Sequence, residues 1–154
     1  MVMISTAAGL DNLEPVTGRL MQNPGDMADV IRRFYGAQTA DTFQKLFTEH
    51  LSIAGDLVNA AKAGDTAKAA ALEEKWYDNA DEIAAFLAKI NPYWDKRQWQ
   101  ALLHDHLQMT KQEALHRLAG EYAEDIRIYD RIENEALQMA DDMTRGILRQ
   151  FGRR

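Results

Sequence analysis

The segment Leu46-Phe47-Thr48-Glu49-His50-Leu51 recurs 56 residues later as Leu102-Leu103-His104-Asp105-His106-Leu107. In each copy, the last histidine takes a position where the helical period calls for an apolar core residue. A buried imidazole has to be hydrogen-bonded or bound to a metal, because an unpaired polar group inside a protein is costly. The two segments therefore predict a helical core that contains partnered polar groups.

The composition around these segments is typical of one helical domain. The chain has 154 residues, of which 46% are hydrophobic, and it has only three prolines. A chain of this length can bury a sizeable core, and this apolar content argues against disorder. We predict a single domain over residues 1–154, in which residues 1–36 form short helices and residues 37–151 form four long ones.

Charge and residue usage exclude several classes of function. The formal net charge of −6 gives no general case for nucleic-acid binding. The chain has no cysteine, so disulfides, thiolate zinc sites and iron–sulfur clusters are excluded. It has no Gly-rich phosphate loop, and we expect no nucleotide cofactor. We expect a cytoplasmic protein without a membrane partner, because no uncharged segment approaches a membrane span and the first residues lack a basic signal region.

Glycines, prolines and capping residues divide the chain into helices. Two short helices are predicted before Asn23-Pro24-Gly25, which is typical of a turn, and a third runs on to Gly36. Four long helices are predicted at about 37–63, 65–90, 95–119 and 121–151. No segment alternates polar and apolar residues at a useful length, so we expect no sheet. The short breaks favour an antiparallel four-helix bundle, and the 56-residue spacing favours a duplicated helical hairpin.

Each long helix has a polar interruption in its apolar stripe. The fourth stripe, whose residues are spaced by three and four, consists of Ile126, Tyr129, Glu133, Ala136, Ala140, Met143 and Ile147. Along the chain, the interruptions are His50, Asn79, His106 with Glu113, and Glu133 or the adjoining Asp130. Because antiparallel helices bring such positions to one level, we expect these side chains to converge inside the bundle.

Converging histidines and carboxylates are typical of iron and manganese sites in helical bundles. In this interpretation, His50 and His106 are neutral nitrogen ligands, and the oxygen ligands come from Glu113 and from Glu133 or Asp130. Three further residues would orient the histidines from outside the ligand shell, namely Glu49, Asp105 and Asn79. The pattern favours iron or manganese over zinc and suggests a redox role, but it identifies no reaction.

A buried polar network without a metal explains the same residues. Asn79 can bond a backbone carbonyl, Glu113 can pair with Arg117 or Lys111, and a core histidine usually has a hydrogen-bond partner. Such a network would set the register of the helices and would not catalyse a reaction. The sequence therefore leaves two hypotheses open, a metal-binding bundle and a non-catalytic binding or assembly module.

The chain resembles a family of small, uncharacterised bacterial helical proteins with repeated Glu-His motifs. The matching stretches cover nearly the whole chain and include Glu49-His50-Leu51, Trp76-Tyr77-Asp78-Asn79, Asn91-Pro92-Tyr93-Trp94 and Thr110-Lys111-Gln112-Glu113. Members are sometimes labelled as an acetylglutamate kinase or a glycosyltransferase, but no residue here supports either activity. The family is similar to larger bundle proteins with a ferritin-like fold, so the resemblance implies that fold and strengthens the metal hypothesis.

The N-terminal residues predict an interface. In the resembling family a further helix with another Glu-His pair precedes this region, and Met1-Val2-Met3-Ile4 lies where that helix would end. We therefore expect an apolar surface between the N-terminal segment and the long helices. A large apolar patch tends to mark an interface, and two-fold dimers are the commonest oligomers. The sequence predicts a homodimer built around Met1 to Leu20.

Overall fold

A computed structural model describes residues 2–152, which form seven helices joined by short loops. In chain order these are α1 (Val2–Ala8), α2 (Leu13–Leu20), α3 (Asn23–Tyr35), α4 (Ala37–Lys62), α5 (Thr66–Ile90), α6 (Lys96–Ala119) and α7 (Tyr122–Phe151). Residues 2–152 contain no strand, so the predicted all-α fold class is confirmed. Within the same residues, no helix has the length and apolar content that crossing a membrane requires.

The ends of the long helices follow the predicted local signals. The side chains of Asp65 and Asp95 each accept a hydrogen bond from the backbone N–H three residues further on, which caps α5 and α6. Gly64 and Gly120 adopt φ angles of 71° and 77° where α4 and α6 end. Glycine takes this left-handed conformation without the penalty that a Cβ atom would impose.

The turn predicted at Asn23-Pro24-Gly25 is wrong, since these residues form the first turn of α3. Proline is tolerated there because the N–H that it lacks would have no acceptor within the helix. The chain changes direction two residues earlier, at Met21-Gln22.

Consecutive long helices run antiparallel. Asn79 of α5 contacts Leu46 of α4, and Lys75, four residues back along α5, pairs with Glu49, three residues forward along α4. The same reversal relates α5 to α6 and α6 to α7. The core lies mainly among α4, α5 and α6 and contains almost fully buried side chains such as Phe43. Burying one large apolar side chain contributes roughly 1.5–3 kcal/mol.

The last helix is less buried than the other long ones. Within residues 2–152, α7 packs extensively against α6 only. In a closed four-helix bundle α7 would also pack against α4, but these two helices have no extensive contact here. The last turn of α3 contacts the last turn of α7. There Tyr35 donates a 3.0 Å hydrogen bond to Gln150 and packs edge-on against Phe151. One side of α7 is therefore left open along most of its length.

The predicted core stripe of α7 is wrong for most of its length. Met143 and Ile147 do pack against the core. The exposed members are Ile126, Tyr129, Glu133, Ala136 and Ala140. The side turned towards α6 carries Ile128, Glu135 and Gly146 instead. Helix α7 has apolar residues on two sides, and periodicity alone does not determine which of the two is covered.

Candidate functional site

His50 lies in the middle of α4 and is buried against α5. Its Nδ1 atom lies 2.7 Å from Oδ1 of Asn79. The amide nitrogen of Asn79 donates to the backbone carbonyl of Leu46 at 3.3 Å, which fixes the orientation of the amide. Because Oδ1 only accepts, the neutral imidazole of His50 carries its proton on Nδ1 and presents a lone pair at Nε2.

Burial also determines the charge of His50. Removal from water lowers the pKa of His50 from 6.5 to about 4, because the charged imidazolium loses its hydration. The hydrogen bond to Asn79 opposes this change, and the charge of His106 adds to it. His50 is therefore neutral near pH 7, and the two histidines are close enough to influence each other electrostatically.

His106 makes the equivalent hydrogen bond in the second hairpin. Its Nδ1 atom in α6 lies 2.8 Å from Oε2 of Glu135 in α7. A carboxylate can only accept, so Nδ1 of His106 is protonated and donates. The two side chains are 25% and 12% exposed, so this hydrogen bond is largely shielded from water. Hydrogen bonds to a charged partner are about twice as strong as neutral ones.

The two hydrogen bonds share one internal spacing. In each, the acceptor follows the histidine by 29 residues, and the second pair follows the first by 56. The helices keep nearly the same spacing, since α4 and α5 begin at residues 37 and 66, and α6 and α7 begin at residues 96 and 122. This agreement supports the predicted duplication of a helical hairpin.

Each long helix thus contributes one side chain to a polar layer made of His50, Asn79, His106 and Glu135. Sequence reasoning identified the first three members and missed Glu135. A signal was present in the repeat, because the spacing that relates His50 to His106 also relates Asn79 to position 135.

The carboxylates predicted on α7 lie elsewhere. Glu133 and Asp130 are exposed. The expectation that one of them faces the interior is wrong, because the inward side of α7 presents Glu135. Glu113 lies seven residues beyond His106 on the same side of α6 and is partly buried. Burial raises the pKa of its carboxyl group, and the negative charge of Asp125 raises it further.

Of the two carboxylates expected to orient the histidines, Glu49 faces a lysine and Asp105 faces solvent. Oε1 of Glu49 lies 3.3 Å from Nζ of Lys75, and Asp105 is exposed. Neither hydrogen-bonds to a histidine among the residues that the structure describes. The remaining histidines lie at the boundary of the bundle, where His104 bonds Asp81 and His116 bonds Glu121.

The donor set for a metal ion is incomplete in this geometry. Across residues 2–152, no group of three or more His, Asp or Glu side chains is placed to hold a metal ion. Imidazole and carboxylate are the ligand types that iron and manganese take. Oε1 of Glu135 is buried and has no hydrogen-bond partner within the described chain. The ligand types therefore fit a metal, but their positions do not form a binding site as they stand.

A groove of about 970 Å³ separates the N-terminal helices from α7. Its walls are mainly apolar and include Ile4 and Val16 on one side and Ile126 and Tyr129 on the other. The groove is also lined by Arg117 of α6 and Asp125 of α7, which form an ion pair. The structure thus contains an apolar surface where the sequence predicts one.

No protein-family model matches this chain, and no curated protein and no solved structure is significantly similar to it. The family resemblance noted in the sequence stays a prediction. The features of the molecule that bear on function are the polar layer, the groove and the exposed side of α7.

Proposed function

We propose that this protein is a non-catalytic helical module that binds another polypeptide through the groove and the exposed side of α7. The observation that carries this proposal is a set of large apolar side chains on α7 that are each more than half exposed. They are Tyr122, Ile126, Tyr129, Leu137 and Leu148. An apolar surface of this extent usually marks an interaction site.

In this proposal the polar layer sets the register of the helices. Each of its two histidine hydrogen bonds joins the two helices of one hairpin. A shift by one turn would leave buried donors and acceptors unpaired, at a cost of about 1–3 kcal/mol for each group. Buried polar groups are best known for specifying register in this way. The layer therefore supports the orientation of α7 in which its apolar side faces outward.

Photo-crosslinking in the native cell tests this proposal. A benzophenone amino acid replaces either Tyr129, which is 52% exposed in the groove, or Tyr93, which is 51% exposed at the α5–α6 corner. We expect a discrete crosslinked protein from position 129 and none from position 93. If both positions gave the same products, or if neither gave one, the proposed interaction surface would be wrong.

The sequence predicts a second copy of the chain as one possible partner. Val2, Met3 and Ile4 of the predicted interface line the groove, while Met1 lies outside the described residues. Light scattering at micromolar concentration tests this version. A dimer that Ile126→Glu dissociates would support it, and a monomeric mass would exclude it.

The second candidate function is a ferritin-like bundle that binds iron or manganese and has a redox role. One observation favours it. Both histidines hold Nδ1 in a hydrogen bond to a side-chain oxygen, as metal-binding histidines commonly do, and this leaves Nε2 as the ligand atom. Glu135 and Glu113 would be the oxygen ligands, since Glu133 and Asp130 are exposed. Both candidates agree with the cytoplasmic location expected from the sequence.

Elemental analysis distinguishes the two functions. Protein purified without chelator should contain near-stoichiometric iron or manganese if the second candidate is right, and His50→Leu and His106→Leu should each abolish it. Wild-type protein without metal, or metal content unchanged in both variants, would dismiss the two histidines as ligands.

A further inference from the structure

Resting on the function proposed above, we infer that the groove binds an α-helix with the residue pattern of α4 and α6, supplied by a partner polypeptide. The hairpin repeat indicates this occupant, because it shows which kind of helix covers the corresponding surface elsewhere in the molecule.

The 56-residue spacing extends to the N-terminal helices. The residues that precede α5 by this spacing are 10–34, and they form α2 and α3. Asn23 corresponds to Asn79, and the fully buried Ala28 corresponds to the fully buried Ala84. By the same count, α1 corresponds to the end of α4. Helices α1 to α3 therefore correspond to the end of α4 and to α5.

A consistent packing rule relates the hairpins. The second helix of one hairpin is covered by the first helix of the next, since α3 packs against α4 and α5 packs against α6. On α5 the covered side includes Glu73, which pairs with Lys111 of α6 at 2.6 Å, and Tyr77, which packs edge-on against His104. Asp81, one turn further along, accepts a hydrogen bond from the same histidine at 2.7 Å.

Among the helices of residues 2–152, none covers the corresponding side of α7 in this way. The three positions just named on α5 correspond to Tyr129, Glu133 and Leu137 on α7. All three are exposed, and Leu137 is 62% exposed. Tyr129 and Leu137 take the places of two acidic residues of α5, Glu73 and Asp81. The surface that a following helix would cover is therefore present on α7, and it is more apolar than the surface that α6 covers on α5.

The contacts of the first helices show where the covering helix would lie. Helices α1, α4 and α6 contact one another, so the first helices of the three hairpins gather on one side. The groove opens beside α1, where Val2 and Ile4 face Ile126 and Tyr129. A helix in the groove would contact α7 on one side and α2 on the other. Helix α4 has an equivalent place, since it packs against α5 on one side and α3 on the other.

The residue pattern of such a helix follows from α4 and α6. Both have an aromatic residue, then leucine three positions later, then histidine four positions after that. The members are Phe43, Leu46 and His50 in α4, and Trp99, Leu102 and His106 in α6. A groove helix with this pattern would place its histidine beside Asn23, the counterpart of Asn79. Asn23 lines the groove, and its Oδ1 atom already accepts a 2.8 Å hydrogen bond from Nη1 of Arg19.

Peptide binding to the whole chain tests the inference. The probe is a fluorescently labelled peptide with the sequence of residues 37–57, which omits the last turns of α4, the part to which α1 corresponds. Fluorescence anisotropy should show saturable binding. Tyr129→Glu should weaken the binding roughly tenfold or more, because it places a charge at the centre of an apolar interface. Tyr93→Glu, at an equally exposed tyrosine outside the groove, should leave the binding unchanged.

A second variant and three further results decide the inference. Leu137→Glu repeats the test on the same side of α7 if Tyr129→Glu does not fold, as circular dichroism would show. The inference fails if no saturable binding occurs, or if the groove variants bind like Tyr93→Glu. Light scattering gives a further outcome that would overturn the inference. If the chain forms a dimer, if Tyr129→Glu dissociates that dimer, and if the peptide does not compete with it, the occupant is a second copy. A crosslink from position 129 without peptide binding would leave the proposed function standing and overturn the helix as its partner.

Discussion

Mild acid should destabilise this protein through His50. Burial lowers the pKa of His50 in the folded chain to about 4, from 6.5 for a histidine in water. Above pH 6.5 the imidazole is neutral in both states, so its full contribution to stability is present. As the pH falls from 6.5 towards 4, the unfolded state binds a proton that the folded state does not, and the free energy of unfolding decreases.

The size of the effect follows from the two pKa values of His50. A difference of one in pKa corresponds to about 1.4 kcal/mol, so the full loss by pH 4 is about 3 kcal/mol. At pH 5 most unfolded chains and few folded ones carry the proton, and the loss is about 2 kcal/mol. Native domains have free energies of unfolding of roughly 5–15 kcal/mol, so urea denaturation can measure this change.

The assay compares wild type with His50→Gln by urea denaturation at about pH 7.5 and about pH 5, followed by circular dichroism. Glutamine does not titrate, and its amide can still donate to Oδ1 of Asn79. The other ionisable groups are the same in both proteins, so their contributions largely cancel in the difference. We expect the free energy of unfolding of wild type to fall by about 2 kcal/mol more than that of the variant.

Equal pH dependence in wild type and His50→Gln would refute this reasoning. It would mean that the folded chain stabilises the imidazolium of His50 as well as water does, through hydration or through the carboxylate of Glu135. A smaller loss in wild type than in the variant would show that a nearby negative charge outweighs burial.

Further predictions concern packing and the polar layer, and urea denaturation near neutral pH measures each of them. Gly146→Ala should lower the free energy of unfolding by roughly 1–3 kcal/mol, because a Cβ atom there would overlap the indole of Trp94; a neutral effect would contradict the packing of α7 against this corner. Gly55→Ala is the matched control, since nothing lies within 4 Å of its added Cβ atom, and it should stabilise α4 by about 1 kcal/mol. Glu135→Ala should cost about 1–3 kcal/mol because it removes the acceptor of the His106 N–H group. Glu133→Ala should change stability by roughly 0.5 kcal/mol or less, since Glu133 is exposed; a larger effect for Glu133 than for Glu135 would show that the layer is assigned to the wrong residue. Asp65→Ala should cost about 1 kcal/mol through loss of the hydrogen bond that caps α5, and an unchanged midpoint would mean that this cap does not contribute.

The sequence by itself determined the helices and much of the polar layer. Helix ends depend on local chemistry, so Gly64 and the capping Asp65 could be located without knowing what packs around them. The helical period showed that His50, Asn79 and His106 interrupt apolar stripes, and short loops between antiparallel helices bring such positions together. These features depend on residues a few positions apart, which is the range over which a sequence pattern is informative.

Only the tertiary structure decided which side of α7 is buried. The helix has apolar residues on two sides, and α6 covers the side that carries Glu135 while Glu133 and Tyr129 stay exposed. Burial depends on which neighbouring helices are present, and the helix that would cover the second side is not among those that the structure describes. The repeat spacing relates Asn79 to Glu135, and the structure shows the contact that makes these positions part of the layer, the hydrogen bond between His50 and Asn79. That contact joins residues 29 positions apart, beyond the reach of the helical period.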